Sequence, residues 1–438
     1  MNDCRKEGAV PRYRVALLGP YGSGNLGDAA IQEAVMQNLR QHLRAVEFWG
    51  VSLSPADTME RHGIQTFPIS RQASASHIGL RSRQPVKDID DSEKAANRDR
   101  RPSALAKLVR RMRCILQEMS FMVKAFRFLK GIDVLIFSGG GQLDDYWGGA
   151  WAHPFTLLKW TLLARLAGAK VAFFGVGVDS LTSSLSKCFL RWALRLAHFR
   201  SYRDERTKQL VREIGWNSED QVHPDLAYGL TVETFRKSER NPAEHGLVIG
   251  VSPISASAWT KKDSPQYEAY LSMLGEFVTW LVEEKHRVLL FPSQVRMDQP
   301  CLLQLVADIK KRGTPLDRVT VVSGEKLTLE DMLSAVSKTD IVVASRLHGI
   351  ILSSLLFKPV LALSYSKKVA VQMRDLGLEE YSIDHQLIKL EMVKKVFLRL
   401  HSERQAIAGQ LASRVHENRS WLEFQYTQRL LPAVALQE

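Results

Sequence analysis

The residues that could most clearly take part in binding or catalysis follow a short apolar strand in the C-terminal half, within the stretch DIVVASRLHGIILSSLLFKPVLALSYSKK. Ile341–Ala344 is predicted to be this strand, and a helix is predicted to follow it directly. Arg346 and His348 then lie at a helix N-terminus, where unpaired amides and the helix dipole already favour an anion. A guanidinium adds a fork that can bind a carboxylate or phosphate through two parallel hydrogen bonds. Lys367 or Lys368 emerges beside it after the next strand, so the pattern predicts a site for a small, multiply charged anion.

A glycine-rich stretch, LGPYGSGNLGDAAIQEAV, lies between a predicted strand and a predicted helix near the start of the chain. Gly22, Gly24 and Gly27 satisfy the G-x-G-x-x-G spacing of dinucleotide-binding loops, which also require an acidic residue at the end of the second strand. Glu47 has the right distance but lies at the start of its strand. The Asp28 carboxylate competes with a pyrophosphate for the helix amides, or it simply caps the helix. The sequence therefore disfavours a dinucleotide at this loop.

Glycine or polar turns also follow other predicted strands of the N-terminal half. SGGGQLDD (Ser138–Asp145) and GVGVDS (Gly175–Ser180) each come directly after a strand. Arg203 follows a third strand in SYRDERTKQL, and VHPDLAYGL places His223 and Asp225 shortly before a polar linker. Glycine lets a backbone approach a ligand closely, and parallel strands end at a common edge of their sheet. These turns therefore favour a ligand cleft along that edge.

The elements that must position these residues alternate strand with helix through both halves of the chain, which is typical of doubly wound parallel sheets. A length of 438 residues suits two domains. We therefore predict an α/β fold of two Rossmann-like domains that face each other across a cleft. The predicted boundaries are 1–233 for the N-terminal domain, 245–405 for the C-terminal domain and 406–438 for a helical extension that packs back across both.

The formal net charge of +13 indicates an anionic substrate, an anionic membrane surface or nucleic acid as a partner, without choosing among them. Arg71–Arg113 has 12 basic and 5 acidic residues and little apolar surface, and is predicted to be a long, mobile basic loop. Ala104–Lys130 has apolar residues at helical spacing and a basic opposite face. It is predicted either to cross over the sheet or to lie on an anionic membrane, and the two are compatible.

The remaining sequence features bear on compartment and on the kind of chemistry. The four cysteines have no paired spacing, which favours a reducing compartment and gives no sign of a zinc site or disulfide framework. The N-terminus lacks the apolar core of a signal peptide, and the most apolar stretches carry charges. We predict a cytoplasmic protein, with peripheral contact at the inner membrane face left open. Metalloprotease, nucleophile-elbow and P-loop motifs are not found, and no metal ligand set is predicted.

Taken together, these motifs resemble the polysaccharide pyruvyl transferase family over most of the chain. The shared marks, in order, are GSGNLGDAAI, SGGG, GVGV, YRDERT, HPDLA and SRLHGIILSSLLFKPVLALSY with the lysines that follow. The resemblance implies a GT-B-like fold and transfer of the enolpyruvyl group of phosphoenolpyruvate to two sugar hydroxyls, giving a pyruvate ketal and phosphate. It implies no cofactor beyond phosphoenolpyruvate as the donor substrate. The donor-binding residues that it implies are Arg203, Arg346, Leu347, His348 and Lys368. Gly349 stands where the family more commonly has alanine, a change that we expect to have no effect.

The charged residues identified from the sequence pattern suit this reaction. Phosphoenolpyruvate has a carboxylate and a phosphate, which suit fixed cations at a helix N-terminus. His348, with an unperturbed pKa of about 6.5, is predicted to be the general acid and Arg346 to assist catalysis. Asp28, Asp144 and Asp225 are alternative bases for the sugar hydroxyls. The acceptor-side cleft loops are predicted to contain Gly24, Asn25, Gly27, Asp28, Gly140, Gly141 and Asp225, and the acceptor to be a sugar or oligosaccharide, with a lipid-linked form left open.

Two other functions stay open at the level of sequence. A nucleotide-sugar-dependent GT-B glycosyltransferase would have the same architecture but would bind a nucleoside diphosphate sugar. A non-catalytic protein could use the basic loop to bind nucleic acid or an acidic polymer. The chain shows no RNA-binding aromatic motif and no helix-turn-helix signature, so we expect no nucleic acid partner.

Overall fold

Two parallel β-sheets, one in each half of the chain, form the framework of the protein. The computed structural model describes residues 12–22, 24–75, 104–146, 148–216, 219–236, 246–255, 265–324 and 326–436. Helices cover both faces of each sheet, so the central strands are continuous apolar runs: Val134–Ser138 is buried at every position.

The N-terminal sheet has, within the described residues, seven parallel strands in the order β3-β2-β1-β4-β5-β6-β7. They are β1 (Tyr13–Leu18), β2 (Val46–Ser52), β3 (Gln65–Pro68), β4 (Val134–Ser138), β5 (Lys170–Val176), β6 (Phe199–Tyr202) and β7 (Gln221–Val222). The strand order reverses between β1 and β4. In doubly wound sheets the ligand crevice lies at the carboxyl ends of the strands at such a point.

The helices of this half pack on both faces of the sheet. They are α1 (Leu26–His42), α2 (Pro55–His62), α3 (Arg71–Ala75), α4 (Ala104–Leu129), α5 (His153–Ala167), α6 (Ser184–Leu196), α7 (Glu205–Glu213) and α8 (Glu233–Arg236). One apolar core lies between the sheet and α4, α5 and α6. On the opposite face, α1 belongs to a core that continues into the C-terminal half.

The C-terminal sheet repeats this arrangement in the part of the chain that the structure describes, with six parallel strands in the order β10-β9-β8-β11-β12-β13. They are β8 (Val248–Ser252), β9 (Arg287–Leu290), β10 (Val319–Val321), β11 (Ile341–Ala344), β12 (Val360–Ser364) and β13 (Ser382–Asp384). Its helices are α9 (Pro265–Glu283), α10 (Val295–Lys311), α11 (Leu329–Ser337), α12 (Leu347–Leu355) and α13 (Lys367–Asp375). The order reverses between β8 and β11, which places the second crevice at the start of α12.

A single long helix, α14 (Leu390–Gln425), runs along both halves and ends in a π-helical turn, Tyr426–Leu430, and a short helix, α15 (Leu431–Ala433). In the C-terminal half, Phe397 of this helix packs edge-on against Phe277. In the N-terminal half, Arg419 donates to the backbone carbonyls of Tyr228 and Leu230. The helix therefore packs across both halves as predicted. Because it begins at Leu390, the predicted boundary between residues 405 and 406 falls inside this helix.

The predicted basic loop, Arg71–Arg113, is helical at both of its ends. Arg71–Ala75 forms α3, and residues 104–113 belong to α4, while 76–103 lie outside the described residues. The prediction of a loop is therefore wrong for these two ends. The predicted helix Ala104–Lys130 agrees with α4. None of the helices in the described ranges is long and apolar enough to cross a membrane.

Candidate active site

The glycine-rich loop after β1 is closed by a helix cap. Asn25 is the N-cap of α1, and its side-chain carbonyl accepts hydrogen bonds from the backbone amides of Gly27 (3.1 Å) and Asp28 (3.4 Å). The amide of Leu26 donates to the backbone carbonyl of Ser293 at 3.3 Å. A pyrophosphate would need these same amides, so their pairing agrees with the interpretation that the loop does not hold a dinucleotide. Asn25 caps the helix, and Asp28 does not.

The same loop joins the two halves of the protein. The amide of Val295 donates to the carbonyl of Gly24 at 2.8 Å. Gly27 lies directly against His348: a Cβ atom at position 27 would lie 2.6 Å from the Cβ of His348 and closer still to its ring. Only a residue without a side chain allows this approach. Gly27 and His348, which the sequence assigned to the acceptor side and the donor side, therefore meet in one site.

Arg346 lies at the N-cap of α12, and its guanidinium is already paired. Its Nε and Nη2 atoms donate to the two carboxylate oxygens of Asp298 at 2.7 and 2.6 Å. Asp298 is fully buried, and it also accepts from the backbone amides of Gln294 (2.9 Å) and Ser255 (3.3 Å). The fork that the sequence assigned to an anion is paired with Asp298 in this structure. The remaining N–H groups of Arg346 are held in a fixed orientation.

His348 and Asp225 face each other inside the protein without completing a hydrogen bond. Nε2 of His348 lies 3.9 Å from Oδ2 of Asp225, and neither atom has a hydrogen-bond partner among the described residues. The other oxygen of Asp225 accepts from the amide of Ala227 at 3.0 Å. Burial lowers the pKa of His348 to about 4, although the charge of Asp225 opposes this shift. The pKa of His348 therefore lies below the unperturbed value of about 6.5, because its imidazole is desolvated.

Two further cations border this pair, and each has a carboxylate partner. The side chain of Arg203 is 9% exposed, with Nε 3.5 Å from Asp204 and Nη1 3.9 Å from Oδ2 of Asp225. Lys368 donates from Nζ to Oδ2 of Asp179 at 2.8 Å. Both side chains of this second pair are partly exposed. Lys368 can therefore exchange its partner more easily than the buried Arg346 can.

Asp28 lies on the N-terminal side of the same group. Burial raises the pKa of its carboxyl group to about 7, and the charge of Asp225 adds to the shift. Lys368 and a hydrogen bond of 2.7 Å from the Asn25 side chain oppose it. A carboxyl group with this pKa exchanges a proton readily near neutral pH, which is what a general acid or base requires.

The turn after β4 forms the adjoining wall. Gly140 has a φ of +66°, which glycine adopts without strain, and a Cβ there would lie 3.8 Å from Oδ1 of Asp28. A Cβ at Gly141 would lie 2.6 Å from Oδ2 of Asp144. Burial raises the pKa of Asp144 to about 6, while its Oδ1 accepts from the amide of Asp179 at 2.5 Å. Asp144 thus ties the turn after β4 to the turn after β5.

A cavity of about 630 Å³ opens beside the His348–Asp225 pair. Arg203, Asp225, Leu347 and Lys368 line it, together with α7, α13 and α14. His223 lines it too; it is buried, and neither of its ring nitrogens has a partner within the described ranges. This volume is typical of sites for small molecules. The predicted donor residues other than Arg346 and His348 thus border an open space, and those two lie next to it.

The structure therefore brings the predicted cations, the histidine and the glycine turns to one place between the two sheets. Sequence reasoning missed Asp298 and Asp179, the carboxylates that pair with Arg346 and Lys368. Asp179 lies within the GVGVDS turn, and Asp298 lies in the first turn of α10 after β9, so a search for acids at strand ends would have found both. The described residues contain no group of three or more His, Cys, Asp or Glu side chains arranged to hold a metal ion.

The sequence model of one family, polysaccharide pyruvyl transferase, matches residues 25–367. The chain belongs to the polysaccharide pyruvyl transferase family. The match includes the Asn25 cap, Asp225 and the Arg346–His348 motif, and it ends at Lys367, one residue before Lys368. No match to this pyruvyl transferase family member was found among curated proteins.

Solved structures show the fold of this family member. A glycosyltransferase from Rickettsia africae ESF-5 is 12% identical, with a TM-score of 0.54 over 97% of this chain and 99% of that chain. A UDP-GlcNAc 2-epimerase from Neisseria meningitidis, bound to UDP-GlcNAc, is 10% identical, with a TM-score of 0.58 over 96% of this chain and 100% of that chain. These neighbours confirm the predicted GT-B-like fold of two Rossmann-like domains across a cleft.

Proposed function

We propose that this pyruvyl transferase family member transfers the enolpyruvyl group of phosphoenolpyruvate to two hydroxyls of a sugar in an exopolysaccharide or cell-envelope glycan. The products are a cyclic pyruvate ketal and phosphate. The observation that carries the proposal is the His348–Asp225 pair, a buried imidazole and a buried carboxylate whose facing atoms lack partners among the described residues. Arg203 and Lys368 flank this pair at the cavity.

The cations divide into a fixed set and an exchangeable one. Arg346 is held by the fully buried Asp298, so it offers its remaining N–H groups from one position. Lys368 shares a partly exposed pair with Asp179, and we expect it to leave Asp179 for the donor phosphate or carboxylate. The N-terminus of α12 adds backbone amides and the helix dipole. Together these groups suit an anion with two charged ends.

In the proposed reaction, a proton adds to the methylene carbon of phosphoenolpyruvate and positive charge develops at the adjacent carbon. One sugar hydroxyl adds to that carbon. The bond between the same carbon and the phosphate oxygen then breaks, and the second hydroxyl adds there to close the ketal. The two hydroxyl protons balance the new C–H bond and the proton on phosphate. Fixed cations beside the phosphate stabilise its departure, as preorganised charges do in other group transfers.

His348 can deliver the first proton only after it has gained one, because its pKa is about 4 in this structure. An anion bound beside the imidazole favours the charged form, and Asp225 at 3.9 Å already acts in the same direction. The donor would therefore charge its own general acid. Asp28 is our choice for the base, because its pKa of about 7 is suited to accepting a hydroxyl proton and it lies on the glycine-loop side of His348.

Titration calorimetry with phosphoenolpyruvate tests the donor assignment. We expect saturable binding to the wild-type protein, and weaker binding to His348→Ala and Arg203→Gln by about 10-fold or more each, since each loses a charge-assisted hydrogen bond. Arg312→Gln, which removes a cation paired with Asp308 on α10, is the matched control and should bind as the wild type does.

Two results would count against the proposal. Binding of a UDP-sugar without binding of phosphoenolpyruvate would favour a nucleotide-sugar-dependent glycosyltransferase. Binding of phosphoenolpyruvate that is unchanged in both site variants would place the donor elsewhere. Once binding is established, release of phosphate in the presence of free or lipid-linked glycan acceptors identifies the acceptor.

A further inference from the structure

The first half of α4 extends beyond the core of the N-terminal half. The helix has 26 residues and is therefore about 39 Å long. Within the side chains that the structure describes, it packs on the sheet through its second half, by the buried Phe121, Ala125 and Leu129. Among the side chains described before Phe121, all are exposed except that of Glu118, which is half-buried.

The exposed part of α4 has a continuous apolar stripe. Six of its large apolar side chains are between 48% and 63% exposed: Val109, Met112, Ile115, Leu116, Met119 and Val123. Their spacing of three and four residues places them on one side of the helix. This side faces away from the buried contacts of Phe121 and Ala125, so the stripe is not the face that packs on the sheet.

Positive charge surrounds this stripe. Residues 104–130 contain seven Lys and Arg residues and one acidic residue, Glu118. Glu118 is already paired with Lys159 at 2.7 Å. Arg113, Lys124, Arg127 and Lys130 are exposed. An amphipathic helix with an exposed apolar face and basic neighbours is the form that inserts at the surface of an anionic bilayer.

We propose that the exposed stripe of α4 docks this protein on an anionic phospholipid bilayer. The occupant is a membrane and not a second copy of the chain, because two copies paired along this stripe would bring the cations of residues 104–130 together, and the acid within that range, Glu118, is already paired with Lys159. The charge pattern instead complements acidic lipid headgroups, to which each nearby Lys or Arg adds attraction.

The position of α4 connects this surface with the site. The helix ends at Leu129, shortly before β4 begins at Val134, and so its start lies toward the carboxyl edge of the sheet. The glycine turns of the site lie at that same edge. A docked helix would hold the cleft near the headgroups, which suits an acceptor carried on a lipid. That last statement rests on the proposed function, whereas the docking surface itself rests only on α4.

Sedimentation with vesicles tests the surface on the full-length chain. The vesicles contain two parts phosphatidylcholine to one part phosphatidylglycerol, and vesicles of phosphatidylcholine alone are compared. We expect the wild-type protein to sediment with the anionic vesicles and to bind them less strongly at high salt. It should not sediment with the neutral vesicles. The variant Ile115→Ser/Leu116→Ser/Met119→Ser should weaken binding roughly tenfold or more. Lys124→Gln/Arg127→Gln should weaken it about fivefold for each cation.

A matched control removes exposed leucines elsewhere: Leu303→Ser/Leu398→Ser alters the helices of the other half and should bind vesicles as the wild type does. Wild-type protein that does not sediment, or a triple serine variant that sediments unchanged, overturns the proposal. A wild-type dimer in light scattering that becomes a monomer in the triple variant also overturns it, since the stripe would then join two copies. Phosphoenolpyruvate titrations of the same variants should be unchanged, so a failure of docking and a failure of the donor assignment are distinguishable.

Discussion

Replacing Gly27 with alanine should disable His348 while leaving the fold intact. Gly27 lies in the first turn of α1 with an ordinary helical backbone, where alanine is the better helix former by up to about 1 kcal/mol. The added methyl group would lie 2.6 Å from the Cβ of His348, whereas ordinary contacts are 3.4–4 Å. The imidazole must therefore shift by about 1 Å or turn away from Asp225.

The cost of this shift can be estimated from the hydrogen bond that it removes. A hydrogen bond to a charged group contributes about 1.5–3 kcal/mol, which corresponds to a change in Kd of about 10- to 150-fold. We therefore expect Gly27→Ala to weaken phosphoenolpyruvate binding within that range in titration calorimetry. Its thermal unfolding should come earlier, because the new methyl group overlaps the Cβ of His348, which no change of rotamer can move aside, and this overlap outweighs the gain in helix propensity.

Two comparisons make this prediction sharp. Gly409→Ala also replaces a helical glycine, but nothing lies within 4 Å of its new methyl group, so binding should be unchanged. In a His348→Gly background, which removes both the ring and the Cβ that the new methyl group meets, Gly27→Ala should add no further loss. Wild-type affinity in Gly27→Ala, or a full additional loss in the double variant, would refute the contact between the glycine loop and the general acid.

Three further predictions follow from the same contacts. Asp298→Ala leaves the guanidinium of Arg346 without its buried partner and should lower the free energy of unfolding by about 3 kcal/mol in urea denaturation. The double variant Asp298→Ala/Arg346→Met should restore part of this loss, and a double variant no more stable than the single one would contradict the prediction. Donor binding should raise the pKa of His348 from about 4, so that the imidazole takes up a proton and the affinity decreases as pH rises. Calorimetry at pH 7 in buffers of different ionisation enthalpy should show this proton uptake, and less of it in His348→Gln. Equal uptake in both proteins would place the proton elsewhere. Gly349→Ala brings a methyl group 2.9 Å from Oγ of Ser293 and should cost about 1 kcal/mol in denaturation, which Ser293→Ala in the same chain should restore if that contact is the cause.

The last of these predictions differs from the expectation that alanine at position 349 has no effect. Oγ of Ser293 cannot move away without a cost in free energy, because it forms a hydrogen bond of 2.8 Å with Oγ of Ser252. This hydrogen bond joins the end of β8 to the turn after β9, about forty residues later in the sequence. Local sequence shows that both residues are small, but it does not show that their side chains meet.

The fold was accessible from the sequence because its signals are local. Strands buried on both faces read as apolar runs, and the glycine turns follow them directly, so YRVALLG and DIVVASRLH predicted both crevices. The N-terminal position of Arg346 on its helix followed from the same pattern. The parallel arrangement of the strands then places these turns at one edge of each sheet.

The partners of the cations were not accessible in this way. Asp298 and Arg346 are 48 positions apart, and Asp179 and Lys368 are 189 apart. Pairing between such distant residues depends on how the two sheets are packed together, which periodicity does not encode. The low pKa of His348 has the same origin, since its burial comes from Gly27 on the opposite half. The exposed half of α4 was also missed as a distinct element, because helical spacing continues unchanged where the contacts with the core end.

The residues at the end of the long helix α14 determine when the N-terminal half can complete its core during synthesis. Tyr426 packs edge-on against Phe174 of β5, and Gln425 donates a hydrogen bond to Ser201, 224 positions earlier in the chain. Domains commonly fold as they emerge from the ribosome, the N-terminal one first. Here the first sheet can form early, but its core is completed only when residues near 425 have been synthesised. Until then the apolar surface that receives Tyr426 stays uncovered on the nascent N-terminal half.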